Sequence, residues 1–169
     1  MPGLPFLPGV CAVGSGVWDR NMTENHVATA TVQIRATPQE VWAVLTDSAR
    51  VPEYMFGSEV ETDWTVGSPI VYRGEWEGRS FEDRGEVVLV EEPHRLVMTH
   101  FAPKPDQSEA TEVHHTVSYV LEPIGDDRTR VVLTQDHNAG KEEQEHAEAN
   151  WSAMLEALRT AVEKDIVTD

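Results

Sequence analysis

Residues Glu142 to Lys164, EEQEHAEANWSAMLEALRTAVEK, decide how the rest of the chain is read. Ala147, Trp151, Met154, Leu155, Leu158, Ala161 and Val162 recur at spacings of three and four, so a helix over this stretch carries one apolar stripe. Glu148, Glu156, Arg159 and Glu163 fall on the opposite side and are expected to face water. Glu142, Glu143 and Glu145 crowd the first turn and Lys164 stands near the last, as the helix dipole favours, and no Gly or Pro interrupts the interior. An apolar stripe of this length must lie on something. Nearly everything upstream reads as strand, so the predicted support is a long antiparallel sheet, and Trp151 and Met154 read first as core.

The strand pattern begins at His26 to Arg35, where Ala28, Ala30, Val32 and Ile34 alternate with Val27, Thr29, Thr31 and Gln33. Thr37-Pro38-Gln39-Glu40 then combines a capping Thr, Pro at the first helical position and Glu three residues after the cap, ahead of the apolar Val41, Trp42, Val44 and Leu45. A second short helical turn is predicted through Ser48 to Met55, bent at Pro52. Further strands are predicted at Glu59 to Val66, Pro69 to Trp76, Ser80 to Glu91, Arg95 to Phe101, Glu112 to Glu122 and Thr129 to Asp136. Gly67-Ser68, Glu77-Gly78, Glu92-Pro93-His94 and Gly125-Asp126-Asp127 separate them as turns, which favours a hairpin meander. The gap from Ala102 to Ala110 holds two Pro and reads as a mobile loop. The fold class is therefore α+β, a curved antiparallel sheet of about seven strands around a long C-terminal helix, with two short helices after the first strand.

At 169 residues the chain fits one domain, assigned to residues 22–169. Residues 1–21 hold three Pro and four Gly without periodicity and read as a disordered tail, or as an overlong start ahead of Met22. Pro2, Pro5 and Pro8 break the apolar run that an export signal needs. No stretch is long and apolar enough to cross a bilayer. The net charge of −17 opposes nucleic-acid phosphates and anionic lipid, so neither is an expected partner. Cys11 is the only cysteine, which excludes an internal disulfide and a cysteine metal cage and points to the reducing cytoplasm.

Several segments together carry a family resemblance. They are ATPQEVWAVLTD (36–47), Trp64-Thr-Val-Gly67-Ser68, Gly85-Glu-Val87, Glu92-Pro93-His-Arg-Leu96, Val117-Ser-Tyr119-Val-Leu121-Glu-Pro123, Thr129-Arg-Val131-Val-Leu133-Thr134, and Trp151 with Leu155 and Leu158. In order and spacing, from Val27 to about Glu163, the chain resembles the START-like (SRPBCC) superfamily with its helix-grip fold. Within it, the chain is similar to homologues of the activator of the heat-shock-protein-90 ATPase, also labelled polyketide-cyclase-like. The resemblance implies a deep cavity between sheet and last helix, commonly holding an apolar small molecule. It does not imply one reaction, since the fold hosts binders, cyclases, hydrolases and chaperone regulators.

Motifs for chemistry are sparse. His114 and His115 are strand neighbours that point to opposite faces, and no HxxxH or HExxH spacing occurs, so no metal site is expected. GxSxG and GxxxxGK are absent, which leaves no serine nucleophile and no phosphate loop, and no cofactor is expected. Glu91-Glu92 and Glu142-Glu143 read as solvated. Three functions follow. The first is binding of an apolar or aromatic small molecule, with Trp64, Tyr72, Trp76, Met98, Tyr119, Trp151, Met154 and Leu155 as cavity candidates. The second is an aromatase/cyclase-type enzyme, which needs polar groups in that cavity and has no identified catalytic residue. The third is a co-chaperone-like regulator of a heat-shock ATPase, ranked last because the additional N-terminal domain of the eukaryotic activators is not read here. Polar groups are predicted at the rim. Val113, His115, Val117, Tyr119 and Leu121 face inward on one strand and Thr129, Val131, Leu133 and Gln135 on the next. A hairpin with Leu121 opposite Thr129 sets His115 opposite Gln135, and His100, inward with Leu96 and Met98, comes beside His115.

Overall fold

In the computed structural model, residues 26–76, 78–101 and 114–167 are described. Seven strands, β1 (Ala28–Ile34), β2 (Glu59–Glu61), β3 (Pro69–Trp76), β4 (Arg79–Glu91), β5 (Arg95–His100), β6 (His115–Ile124) and β7 (Arg128–Gln135), join three helices, α1 (Pro38–Leu45), α2 (Val51–Tyr54) and α3 (Lys141–Val167). The strands form one antiparallel sheet in the order β1-β7-β6-β5-β4-β3-β2, so β2 to β7 make the expected meander and β1 closes beside β7. The predicted fold class is the observed one. The tail at 1–21 and the loop at 102–110 lie outside the described residues.

The apolar stripe of α3 is buried throughout, with no member more than 4% exposed, and burial of its larger side chains contributes roughly 1.5–3 kcal/mol each. The helix comes closest to β1, with lesser contact to α2, α1 and β7 and no comparable approach to β3, β4 or β5. Two of the glutamates expected to face water instead serve the sheet. Glu148 accepts from Thr29 N at 3.1 Å and Glu163 from Arg35 N at 2.9 Å, on the side of β1 that has no neighbouring strand. An edge strand with free amides is a template for another chain, and these carboxylates occupy it at both ends. Just after β1 the capping box forms as predicted, with Thr37 Oγ1 accepting from Glu40 N and Glu40 Oε1 accepting from Thr37 N at 2.8 Å. Arg50 then ties α2 to α3, donating to Asp165 at 2.8 Å and to the Ala161 carbonyl at 3.3 Å.

Two expectations need correction, and one strand departs from regular pairing. β2 stops at Glu61 rather than Val66 because the chain turns there: Ser68 Oγ takes the Asp63 amide at 3.1 Å and lies 2.7 Å from Thr62 Oγ1, and Trp64 adopts φ +58°. The β6–β7 register differs by two residues from the predicted one. Leu121 faces Val131 and Val117 faces Gln135, because the ladder runs through Pro123↔Thr129 to Ile124↔Arg128 before turning. A slip of two keeps every side chain on its face, so the inward sets are unchanged. Finally, β4 is irregular between Val87 and Leu89, so that Val87 and Val90 both face inward, opposite Met98 and Leu96.

The irregularity adjoins a pivot. β4 pairs with β3 through Glu86 and with β5 from Val87 onward, with an extra bridge between Arg84 and Phe101. At the crossing Gly85 lies under the Thr99 carbonyl, and a Cβ built there would stand 1.9 Å from that oxygen. Only glycine fits. This close approach brings the inward side chain two residues earlier, Asp83, against the end of β5.

Candidate functional site

Strand parity and the Gly85 crossing together place a row of buried polar side chains at one end of the sheet. Asp83 Oδ2 is 3.3 Å from His100 Nε2, with both side chains about 95% buried. His100 pairs with His115 across β5 and β6. His115 Nδ1 lies 2.8 Å from the Asp136 carbonyl, which can only accept, so Nδ1 carries the proton and Nε2 the lone pair. That Nε2 lies 3.9 Å from Glu143 Oε2 on α3. Glu143, read as solvated in the sequence, is 8% exposed. The row thus runs from Asp83 on β4 to His100, His115 and Glu143, and on to His146 and Asn150 along α3.

Burial shifts the two members at the rim. It lowers the His115 pKa, partly offset by the Asp136 carbonyl, and it raises that of Glu143, against the opposing effects of the Ala139 backbone and His146. In both, burial disfavours the charged form. Above the ordinary value of 4.5 for Glu143 the unfolded chain ionises while the folded chain retains the proton, so stability falls as pH rises towards the raised folded value. Glu143→Gln is therefore expected to raise the denaturation midpoint at pH 7, with the gain over the parent vanishing at pH 4.5 and below. Melting curves of both proteins across this range test it.

A second network lies beside the row. Trp151 Nε1 can only donate, and it bonds Gln135 Oε1 at 2.7 Å, which fixes the Gln135 amide. Gln135 Nε2 then donates to Asn138 Oδ1 at 2.7 Å, while Asn138 Nδ2 donates to the His26 carbonyl at 2.6 Å and the Gln135 carbonyl at 2.9 Å. These bonds join β7, α3 and the chain ahead of β1. Gln135 and Trp151 are therefore bonded to the scaffold through their polar atoms. Trp151→Phe keeps an aromatic ring in the core but removes the indole donor and part of the buried volume, leaving a buried carbonyl oxygen unpaired, and is expected to cost at least about 1–3 kcal/mol in chemical denaturation with the fold retained.

The other predicted site residues fall into distinct places. Tyr72, Met98 and His100 come together, with the Tyr72 hydroxyl donating to Met98 Sδ at 3.5 Å and its ring 5.7 Å from that of His100. Burial, then the proximity of Asp83, pushes the Tyr72 hydroxyl pKa well up. Tyr119, Met154 and Leu155 are buried in the same core. Trp64 is only half-buried and donates to Ser48 Oγ at 3.0 Å, fastening its turn to the α1–α2 link. Trp76 ends β3 opposite Arg79, and its side chain lies outside those described.

Sequence reading missed Asp83, Asn138, Glu143, His146 and Asn150. For Asp83 the signal was present: counting by twos back from inward Val87 gives Gly85 and Asp83. Asn150 was also legible, since it shares a helical stripe with Glu143 and Met154. A separate open depression of about 430 Å³ adjoins Phe56, Gly57, Glu59, Arg73, Gly74 and Glu75. It is lined by the charged Glu59, Arg73 and Glu75 beside one phenylalanine and two glycines, and does not include the buried row. Among the described residues no cluster of three or more His, Cys, Asp or Glu has the arrangement to hold a metal ion, and no helix is long and apolar enough to cross a membrane.

Comparison with known proteins agrees with this architecture. A solution structure of a protein from Cytophaga hutchinsonii is 38% identical, covering 83% of this chain and 96% of that one, with a TM-score of 0.68. Crystal structures of proteins from Mesorhizobium loti (20% identity, 82% and 97% covered, TM-score 0.65) and Nitrosomonas europaea (16%, 83% and 96%, TM-score 0.66) share the fold. No curated protein matches the chain. Residues 35–163, nearly the whole described domain, match the family described as Activator of Hsp90 ATPase homolog 1-like protein, and the chain belongs to that family within the START-like (SRPBCC) helix-grip proteins.

Proposed function

We propose that the protein binds an apolar or aromatic small molecule between the β3–β5 half of the sheet and α3. One observation carries the reading. Asp83 Oδ2, Glu143 Oε1, His146 Nε2 and Asn150 Nδ2 are buried without a hydrogen-bond partner among the described residues, and they belong to the row that joins the inward face of the sheet to the helix. Each such atom costs about 1–3 kcal/mol, so a fold that retains several uses them for something other than its own stability. The apolar surroundings are Tyr72, Met98, Tyr119 and Met154, which suit a ring or a hydrocarbon body. Native mass spectrometry of gently purified full-length protein tests the reading. A bound small molecule, or binding of added naphthalene with a raised melting temperature, is expected. If no small molecule copurifies and no apolar probe binds, the protein is not a binder of this kind.

A second reading, a cyclase-type enzyme acting in the same interior, has one observation of its own. His115 and Glu143 face each other at 3.9 Å on β6 and α3, a side-chain base and a carboxyl placed to exchange a proton with a bound ligand. Glu143→Gln separates the two readings once a ligand is in hand. A catalyst loses turnover while binding persists, whereas for a binder no turnover exists to lose.

A further inference from the structure

The polar atoms of the row differ in what they can hydrogen-bond. Asn150 Nδ2 is a donor, Asp83 Oδ2 and Glu143 Oε1 are carboxyl oxygens, and His146 Nε2 takes either role. Asn150 is 6% exposed, Asp83 3% and Glu143 8%. Glu143, Asn150 and Met154 are spaced seven and four apart, so they share one stripe of α3, and Glu143 marks its direction by facing His115 on β6. Trp151 lies on the neighbouring stripe that meets Gln135 on β7. Asn150 therefore projects on the β6 side of the helix, toward the interior. No Lys or Arg is among the buried residues described.

From this we infer that the interior selects ligands whose polar end is an uncharged hydroxyl and rejects the corresponding carboxylates. The inference rests on the binding reading above. A hydroxyl accepts from Asn150 Nδ2 and donates to His146 Nε2, one helical turn away on the same stretch of α3, satisfying both with one group. A carboxylate can take the Asn150 bond but brings a buried negative charge into an interior that, among the buried residues described, holds acidic Asp83 and Glu143 and no Lys or Arg to meet it. Desolvating an unpaired anion in such a site is far more costly than desolvating a hydroxyl.

Three probes that share one ring system separate the parts of the argument: naphthalene, 2-naphthol and 2-naphthoate, titrated at pH 7 into full-length protein. The expected order is 2-naphthol tightest, by about tenfold over naphthalene, with 2-naphthoate weaker than naphthalene. Asn150→Leu removes the donor without adding a polar atom and should fold at least as stably as the parent. In this variant 2-naphthol should fall to the affinity of naphthalene while naphthalene binding persists. If naphthalene and 2-naphthol bind alike in the parent, or 2-naphthoate matches 2-naphthol, the hydroxyl selectivity is wrong and the binding reading stands. If the preference for 2-naphthol survives Asn150→Leu, Asn150 is not its donor and the assignment fails. Absence of binding by all three removes the binding reading itself.

Discussion

Gly85→Ala is expected to destabilise the protein by on the order of 3 kcal/mol or more, lowering the melting temperature by roughly 6–12 °C for a chain of this size. The cause is a backbone collision rather than lost glycine flexibility. A Cβ at Gly85 stands 1.9 Å from the Thr99 carbonyl oxygen and 2.8 Å from its carbon, and neither can rotate out of the way. Relief requires β4 and β5 to part at the point where β4 leaves one partner for the other. The Thr99 hydroxyl, which accepts from Glu86 N at 3.0 Å, would be displaced as well, and Asp83 would draw back from His100. A melting temperature within two degrees or so of the parent would mean that the strands do not cross as closely as described.

Ending the chain at Asn150 should abolish cooperative folding altogether. The deletion removes Trp151, Met154, Leu155 and Leu158, all at or below 3% exposure, and each is worth about 2 kcal/mol in burial alone. That sum is comparable to the whole stability of a typical domain. The losses extend beyond area. The donor to Gln135 Oε1 goes, as does Glu163, which covers the Arg35 amide at the edge of β1, and so does Asp165, the partner of Arg50. A truncated chain with far-ultraviolet dichroism and a melting transition near those of the parent would contradict the helix-grip packing.

The elements were legible in the sequence because their causes are local. The stripe of α3, the Thr37 capping box and the alternation of β1 each depend on residues within a few positions of one another. Inward faces were legible too, since parity survives a two-residue error in register: His100 and His115 do meet across β5 and β6 although Gln135 faces Val117 rather than His115. What resisted reading was set by contacts distant in sequence. Glu143 follows another glutamate at a helix start, the usual mark of a solvated turn, yet burial against the end of β6 gives it a different environment. Glu148 and Glu163 looked like ordinary water-facing charges, and only the position of β1 at the sheet edge gives them a task. Asn138 has no pattern around it at all. Its role as a clamp between Gln135 and the His26 carbonyl exists only once β1 and β7 are neighbours.

The most direct test of the central claim uses two methionines that the fold sets on opposite elements of the proposed binding region, Met98 on β5 and Met154 on α3, both buried. With carbon-13 in the methionine methyl groups, 2-naphthol is titrated into the full-length protein and each methyl resonance is followed. The Met98 and Met154 methyls are expected to shift together and saturate along one binding curve. Shifts at neither Met98 nor Met154, with the probe binding elsewhere or not at all, would contradict a ligand site between the sheet and the last helix.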